Sequence, residues 1–227
     1  MTMTVNPKLA ASRAYAEIKK KIIQNKLHPQ QSINEIRLAN ELGLSRTPIR
    51  EALIRLEQED LLTRHEQGRG FFVKQFSLQH VHDLYDYREM IEMAIAEKLI
   101  AKVCDHDVAE LAAILDQVNQ IIAQKRPAEA LVLAMNFHVH ITQISTVNKF
   151  IIDSLRNCYE KLIVISWSCQ DSSACASSAQ EHQLILQAIE KRDLAELLKW
   201  QKAHVRSARD RIIKHMRGDF EKLYFVP

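Results

Sequence analysis

Between residues 33 and 58 two short, one-sided apolar segments, INEIRLANELGL and SRTPIREALIRLEQ, stand almost end to end with Gly43 near the junction. In the first, Ile36, Leu38, Ala39 and Leu42 recur at helical spacing; in the second, Ile49, Ala52, Leu53 and Leu56 form a single stripe. Ser45 suits a helix N-cap, Pro48 is tolerated in a first turn, and Gly43 suits the tight turn between the segments. Two such helices cannot hide their stripes without a third apolar partner. ASRAYAEIKKKIIQNKL supplies one, with Ala14, Ile18, Ile22 and Ile23 at helical spacing before HPQQS stops the pattern. LLTRHEQGRGFFV then reads as strand, glycine-bearing turn and strand, a β-hairpin with Arg69 between Gly68 and Gly70. Three helices and a basic-tipped hairpin make a winged helix-turn-helix.

The start of the third helix carries Arg46 and Arg50, although a helix N-terminus is its positive end and favours carboxylates. Thr47 and Arg50 also lie off the apolar stripe. In a winged helix-turn-helix that end enters the DNA major groove, where arginine meets phosphates and guanine edges. Charge is distributed accordingly: residues 1–76 hold 13 Lys/Arg against 8 Asp/Glu, a balance of +5, whereas residues 77–227 hold 18 against 20, a balance of −2. A basic first third on a near-neutral remainder suits a domain that meets a polyanion.

The remaining 151 residues read as helices at roughly 77–103, 105–125, 127–145, 148–169, 177–191 and 193–217, with Asp193 as a cap for the last. Scarce glycine (4) and proline (5), with 6% aromatics, favour helices over a sandwich or barrel. The fold expected is mainly α: a winged domain over 1–76, then an antiparallel bundle of six to seven helices over 77–227. Residues 171–179, rich in Ser, Ala and Cys, are the most loop-like stretch and a candidate cover for a cavity. No apolar run approaches the roughly 20 residues of a membrane span, and MTMTVNPKLAAS lacks the apolar core of a secretory signal, so a cytoplasmic, nucleoid-associated protein is expected. Cys104, Cys158, Cys169 and Cys175 follow no metal-knuckle spacing and read as reduced thiols, mostly buried.

Through about 60 residues, including SRTPIREAL and GRGFFV, the first domain resembles that of GntR-family bacterial transcription regulators. The resemblance implies DNA contacts by Ser45, Arg46, Thr47 and Arg50, with Arg69 and Gly70 in the wing at the minor groove and Arg37 on the preceding helix. In the fatty-acid-responsive members an arginine stands where this chain has Ile36. The rest resembles the FCD-type ligand domain of the FadR subfamily, through DLYDYREMIE, NFHVHITQIS, EHQLILQAIEKRDLAELLKWQKAH and their order. Many such domains hold a divalent metal on an Asp and three His. The three His match His138, His182 and His204, while the usual fourth ligand, four positions before the first His, falls on Ala134. Three imidazoles from three helices suit Zn, Ni or another first-row ion; Asn136 and His140, two residues either side of His138, point elsewhere.

Arg88 sits among Leu84, Ile91 and Ile95 on an inward helix face, and a buried guanidinium needs a carboxylate. That partner is an acid of another helix or, as the resemblance implies, a small organic acid effector, with Tyr85 and Asn157 adding hydrogen bonds. The leading reading is a homodimeric regulator, a repressor by default, that reads a palindromic operator and answers to a small carboxylate. Two alternatives stand beside it: a metal-free regulator of a larger apolar acid, favoured by Ala134, and a three-His metalloenzyme, for which no general base or second carboxylate ligand is evident.

Overall fold

A computed structural model describes residues 7–64, 70–167 and 172–224, with side chains outside that description at 7, 172–176 and 218–224. Two compact units emerge, Met1–Gln75 and Phe76–Pro227. The first contains α1 (Pro7–Ile23), β1 (Ser32–Ile33), α2 (Glu35–Leu42), α3 (Arg46–Gln58), β2 (Leu62–Arg64) and β3 (Phe71–Val73). Its core is the meeting of α1 and α3: Ala14, Ile18 and Ile22 are fully buried, as are Ile49, Leu53 and Leu56. Ile23 is only half-buried at the margin.

Helix α2 is fixed at both ends. The Asn34 side chain accepts from the Arg37 N–H, and Gly43 takes φ +63, a left-handed geometry that glycine adopts without a Cβ penalty. Ser45 occupies the N-cap position of α3 in extended backbone, yet its side chain makes no capping hydrogen bond. Ile36, expected to face inward, is 58% exposed, because Leu38 and Ala39 alone turn α2 onto the core. The hairpin pairs Leu62 with Val73 and Arg64 with Phe71, and β1 adds a third strand in the order β1-β3-β2. Two residues are too few to show any alternation, so β1 leaves no signal in the sequence. Gly70 carries φ +81, whereas Arg69 lies outside the described residues.

The second unit contains α4 (Leu78–Lys102), α5 (Asp105–Ala123), α6 (Pro127–Ser145), α7 (Lys149–Ser166), α8 (Ser172–Glu190) and α9 (Leu194–Tyr224). Caps at Ser77, Asn148 and Asp193 start three of them, Asp193 Oδ1 accepting the Glu196 N–H at 3.1 Å. Around Leu99, Leu111, Phe137, Ile141, Ile185, Ile189 and Leu197 the apolar faces of α4, α5, α6, α8 and α9 meet in one core. Helix α8 begins at Ser172, so most of the stretch read as a loop at 171–179 is helical. Serine is a modest helix former, and the burial of Ile185, Leu186 and Ile189 further along carries the helix through it. Cys104 is exposed and Cys158 buried, both as free thiols. Among the described residues no helix is long and apolar enough to cross a membrane.

Candidate DNA interface and three-histidine centre

At the start of α3, Ser45, Arg46, Thr47 and Arg50 are all exposed, while Pro48 and Ile49 between them are buried. The helix is anchored by the face that carries Pro48, Ile49, Ala52 and Leu53 and presents the other outward. The Arg46 side chain is 67% exposed and touches Glu35 only at 3.9 Å. Arg37, 74% exposed, pairs with Glu41 at 2.8 Å along α2. Exposed pairs of this kind are worth little and exchange readily for a phosphate.

In the helical unit, α4 buries Val81, Tyr85, Arg88, Glu92, Ile95 and Leu99 along one stripe. Arg88 lies between neighbours expected inward, but Leu84 and Ile91 are half-buried and the deep positions are taken by Tyr85 and Glu92. The buried guanidinium pairs through Nε with Glu92 Oε1, one turn along the same helix. The Tyr159 hydroxyl of α7 donates to the same oxygen at 3.0 Å. Burial is the largest influence on Arg88 and opposes its charge, but Glu92, Tyr159 and Tyr85 together prevail and raise its affinity for the proton. Tyr159 is pushed well above the usual phenol range, by burial first and then by Glu92. Asn157 is half-buried on α7, two residues before Tyr159.

Against Arg88 stand three buried histidines from three helices: His138 of α6, His182 of α8 and His204 of α9. Arg88 Nη2 is 3.2 and 3.1 Å from the two ring nitrogens of His138. His138 Nε2 is 3.0 Å from His182 Nε2, which is 3.3 Å from His204 Nε2. Nitrogens bound at 2.0–2.1 Å to one ion are separated by about 3.3 Å in tetrahedral geometry and about 2.9 Å in octahedral cis geometry. Both observed separations match those edges. The proton inventory agrees: burial, reinforced by Arg88 and the neighbouring imidazoles, holds His138 and His182 well below the usual histidine range. Neutral imidazoles are the form that ligates.

A residue with no sequence signal completes the arrangement. Glu181 Oε2 lies 2.8 Å from His204 Nδ1, which fixes the proton on Nδ1 and leaves the Nε2 lone pair facing the other two rings. Burial pushes the Glu181 carboxyl up, but hydrogen bonds from His204 and Arg211 prevail and hold it well below the usual carboxylate range. Arg211 reaches both Glu181 oxygens at 2.8 and 3.0 Å, and Ser207 donates to one at 2.7 Å. An acid at a helix position is ordinarily solvated, so neither Glu92 nor Glu181 stood out in the sequence. Ala134 is half-buried on α6 and offers no donor, while Asn136 is exposed. The three imidazoles form a candidate ligand set with open positions, a pattern that fits a first-row divalent ion.

A winged helix-turn-helix joined to an all-helical unit with a buried polar centre defines a ligand-linked DNA-binding protein. Residues 10–73 match the bacterial regulatory proteins of the gntR family, and residues 83–207 match the FCD domain. The chain is 30% identical over 199 residues to the Nta operon transcriptional regulator of Aminobacter aminovorans, covering 86% of this chain and 91% of that one. It is 26% identical over 181 residues to the transcriptional repressor RspR of Escherichia coli K12, covering 79% and 78%. A putative GntR regulator from Rhodococcus sp. RHA1 superposes with TM-score 0.81 at 20% identity, over 90% of this chain and 97% of that one. The chain belongs to the GntR family, as a DNA-binding transcription regulator with an FCD domain, and is not an enzyme.

Proposed function

We propose that the chain works as a homodimeric repressor in the bacterial cytoplasm, reading a palindromic operator and released by a small carboxylate bound beside a metal in the helical unit. The observation that carries the effector half is the convergence of three neutral imidazole nitrogens at 3.0 and 3.3 Å beside the buried Arg88. Charge supports the choice of an anion. Arg88 balances Glu92 and Arg211 balances Glu181, so a divalent ion on the neutral histidines leaves two positive charges in a buried space. An organic carboxylate fills open metal positions and supplies compensating charge; Tyr85 and Asn157 line its approach in this reading. Two relatives described as repressors, RspR and the gluconate operon repressor of Bacillus licheniformis, support the direction of regulation. For release to occur, the effector must bind one arrangement of the dimer better than the DNA-bound one.

Base and phosphate contacts are assigned to Ser45, Arg46, Thr47 and Arg50, with Arg37 on α2 and Arg69 and Gly70 in the wing. Operator duplex recovered by in vitro selection gives the test. Arg50→Ala is expected to weaken binding by about 1–3 kcal/mol with the thermal midpoint unchanged; wild-type affinity would remove Arg50 from the reading set. Ala134 favours a second reading, in which no metal binds and a larger apolar acid meets Arg88 directly. Titrating the operator complex with small di- and tricarboxylates, before and after chelation, separates the two: dissociation that needs metal supports the first. Glu181→Gln keeps the size of the side chain but removes the carboxylate from His204, and is expected to lower metal affinity about 10–100-fold. Unaltered affinity would show that Glu181 serves packing alone.

A further inference from the structure

A second group of ligating side chains lies away from the buried centre, where the start of α5 packs on α6. Asp107 and Glu110 stand three residues apart on α5, and His140 faces them from α6. One ligating atom from each falls within 4.8 Å of the others. His140 Nε2 is 3.0 Å from Glu110 Oε2, the separation of cis ligands on one ion, and this buried nitrogen makes no hydrogen bond of acceptable geometry. Asp107 is oriented from behind: its Oδ2 accepts the Cys104 N–H at 2.9 Å, and the Cys104 side chain also hydrogen-bonds its carboxylate. His106 Nε2 approaches the other oxygen of Glu110 at 3.5 Å.

We propose that Asp107, Glu110 and His140 form a second divalent-cation site at the surface of the helical unit. Two carboxylates and one imidazole, with positions left for water, suit a hard or borderline first-row ion such as Mn²⁺. The group differs from an acidic cluster in two respects: it contains a nitrogen donor with no hydrogen bond, and its ligands come from two packed helices. An ion there ties the beginning of α5 to α6, the helix that also carries His138. Glu110 is exposed and the other two are half-buried, so the ion exchanges with solvent and does not survive dialysis.

The test is Mn²⁺ binding to the full chain, followed by the loss of the free-ion electron paramagnetic resonance signal. Asp107→Asn and His140→Gln are the variants, each made in wild type and in His138→Ala/His182→Ala. The site predicts one exchangeable equivalent whose affinity falls at least about tenfold in either variant, in both backgrounds, with the unfolding midpoint in chelator unchanged. Binding that is absent at millimolar Mn²⁺, or indifferent to both variants, overturns it. So does binding lost only with His138 and His182. Because the expected equivalent persists without those two histidines, failure of the buried centre and failure of this site give different patterns.

Discussion

Arg88→Ala is expected to destabilise the helical unit by about 3–5 kcal/mol, a large share of a domain's stability. Glu92 is buried at 2%, and its Oε2 already has no hydrogen-bond partner. Removing the guanidinium leaves the carboxylate beside only the Tyr159 hydroxyl and the neutral histidines. The chain must then protonate Glu92, admit water or unfold. Replacing both partners together, as Arg88→Met with Glu92→Leu, removes the charge instead of stranding it, and is expected to recover most of the loss. Both tryptophans, Trp167 and Trp200, lie in the helical unit, so their fluorescence during denaturation reports that unit without interference from the winged one. Equal stability of Arg88→Ala and wild type would mean that the pair is not buried in solution.

Acid is expected to weaken the metal-free helical unit well before ordinary carboxylates titrate. His138 and His182 are held well below their usual range and His204 is lowered less, burial being the main cause for each and the hydrogen bond that His204 donates to Glu181 the offset. A group whose folded pKa is depressed is the more protonated in the unfolded chain, so unfolding takes up protons and stability rises with pH. The stability is fully present above the unfolded histidine value of about 6.5 and declines below it, by up to about 1.4 kcal/mol per pH unit for each histidine while the folded form stays neutral. Glu181 adds a second loss, beginning below the unfolded glutamate value of about 4.3, because its folded carboxyl is also depressed. Tryptophan-monitored unfolding between pH 7.5 and 5, at about those limits, shows the slope. A flat profile would indicate imidazoles that are solvated.

The winged domain was legible because its signals are local. The stripe of Ile49, Ala52, Leu53 and Leu56, the turn at Gly43 and the wing sequence each state a conformation within a few residues. Ile36 was misplaced because helical spacing gives a stripe without its width, and only the packing of α2 decides which edge stays wet. The start of α8 failed for a related reason: a Ser/Ala/Cys stretch carries no periodicity, and its helix is set by tertiary contacts further along. The three histidines could be named from family resemblance but not brought together by it. Their distances depend on three helices meeting across separations of 44 and 22 residues. Glu92 and Glu181 were invisible because nothing in a sequence marks a buried acid as different from a solvated one.

The most direct measurement is elemental analysis of the full chain after exhaustive dialysis, compared with His138→Ala/His182→Ala. A metal held by the three histidines requires close to one first-row ion per wild-type chain and none in the double variant, with both proteins helical by circular dichroism. Metal-free wild type, even when reloaded with Zn²⁺ or Ni²⁺ before dialysis, would contradict it, as would equal metal in both proteins.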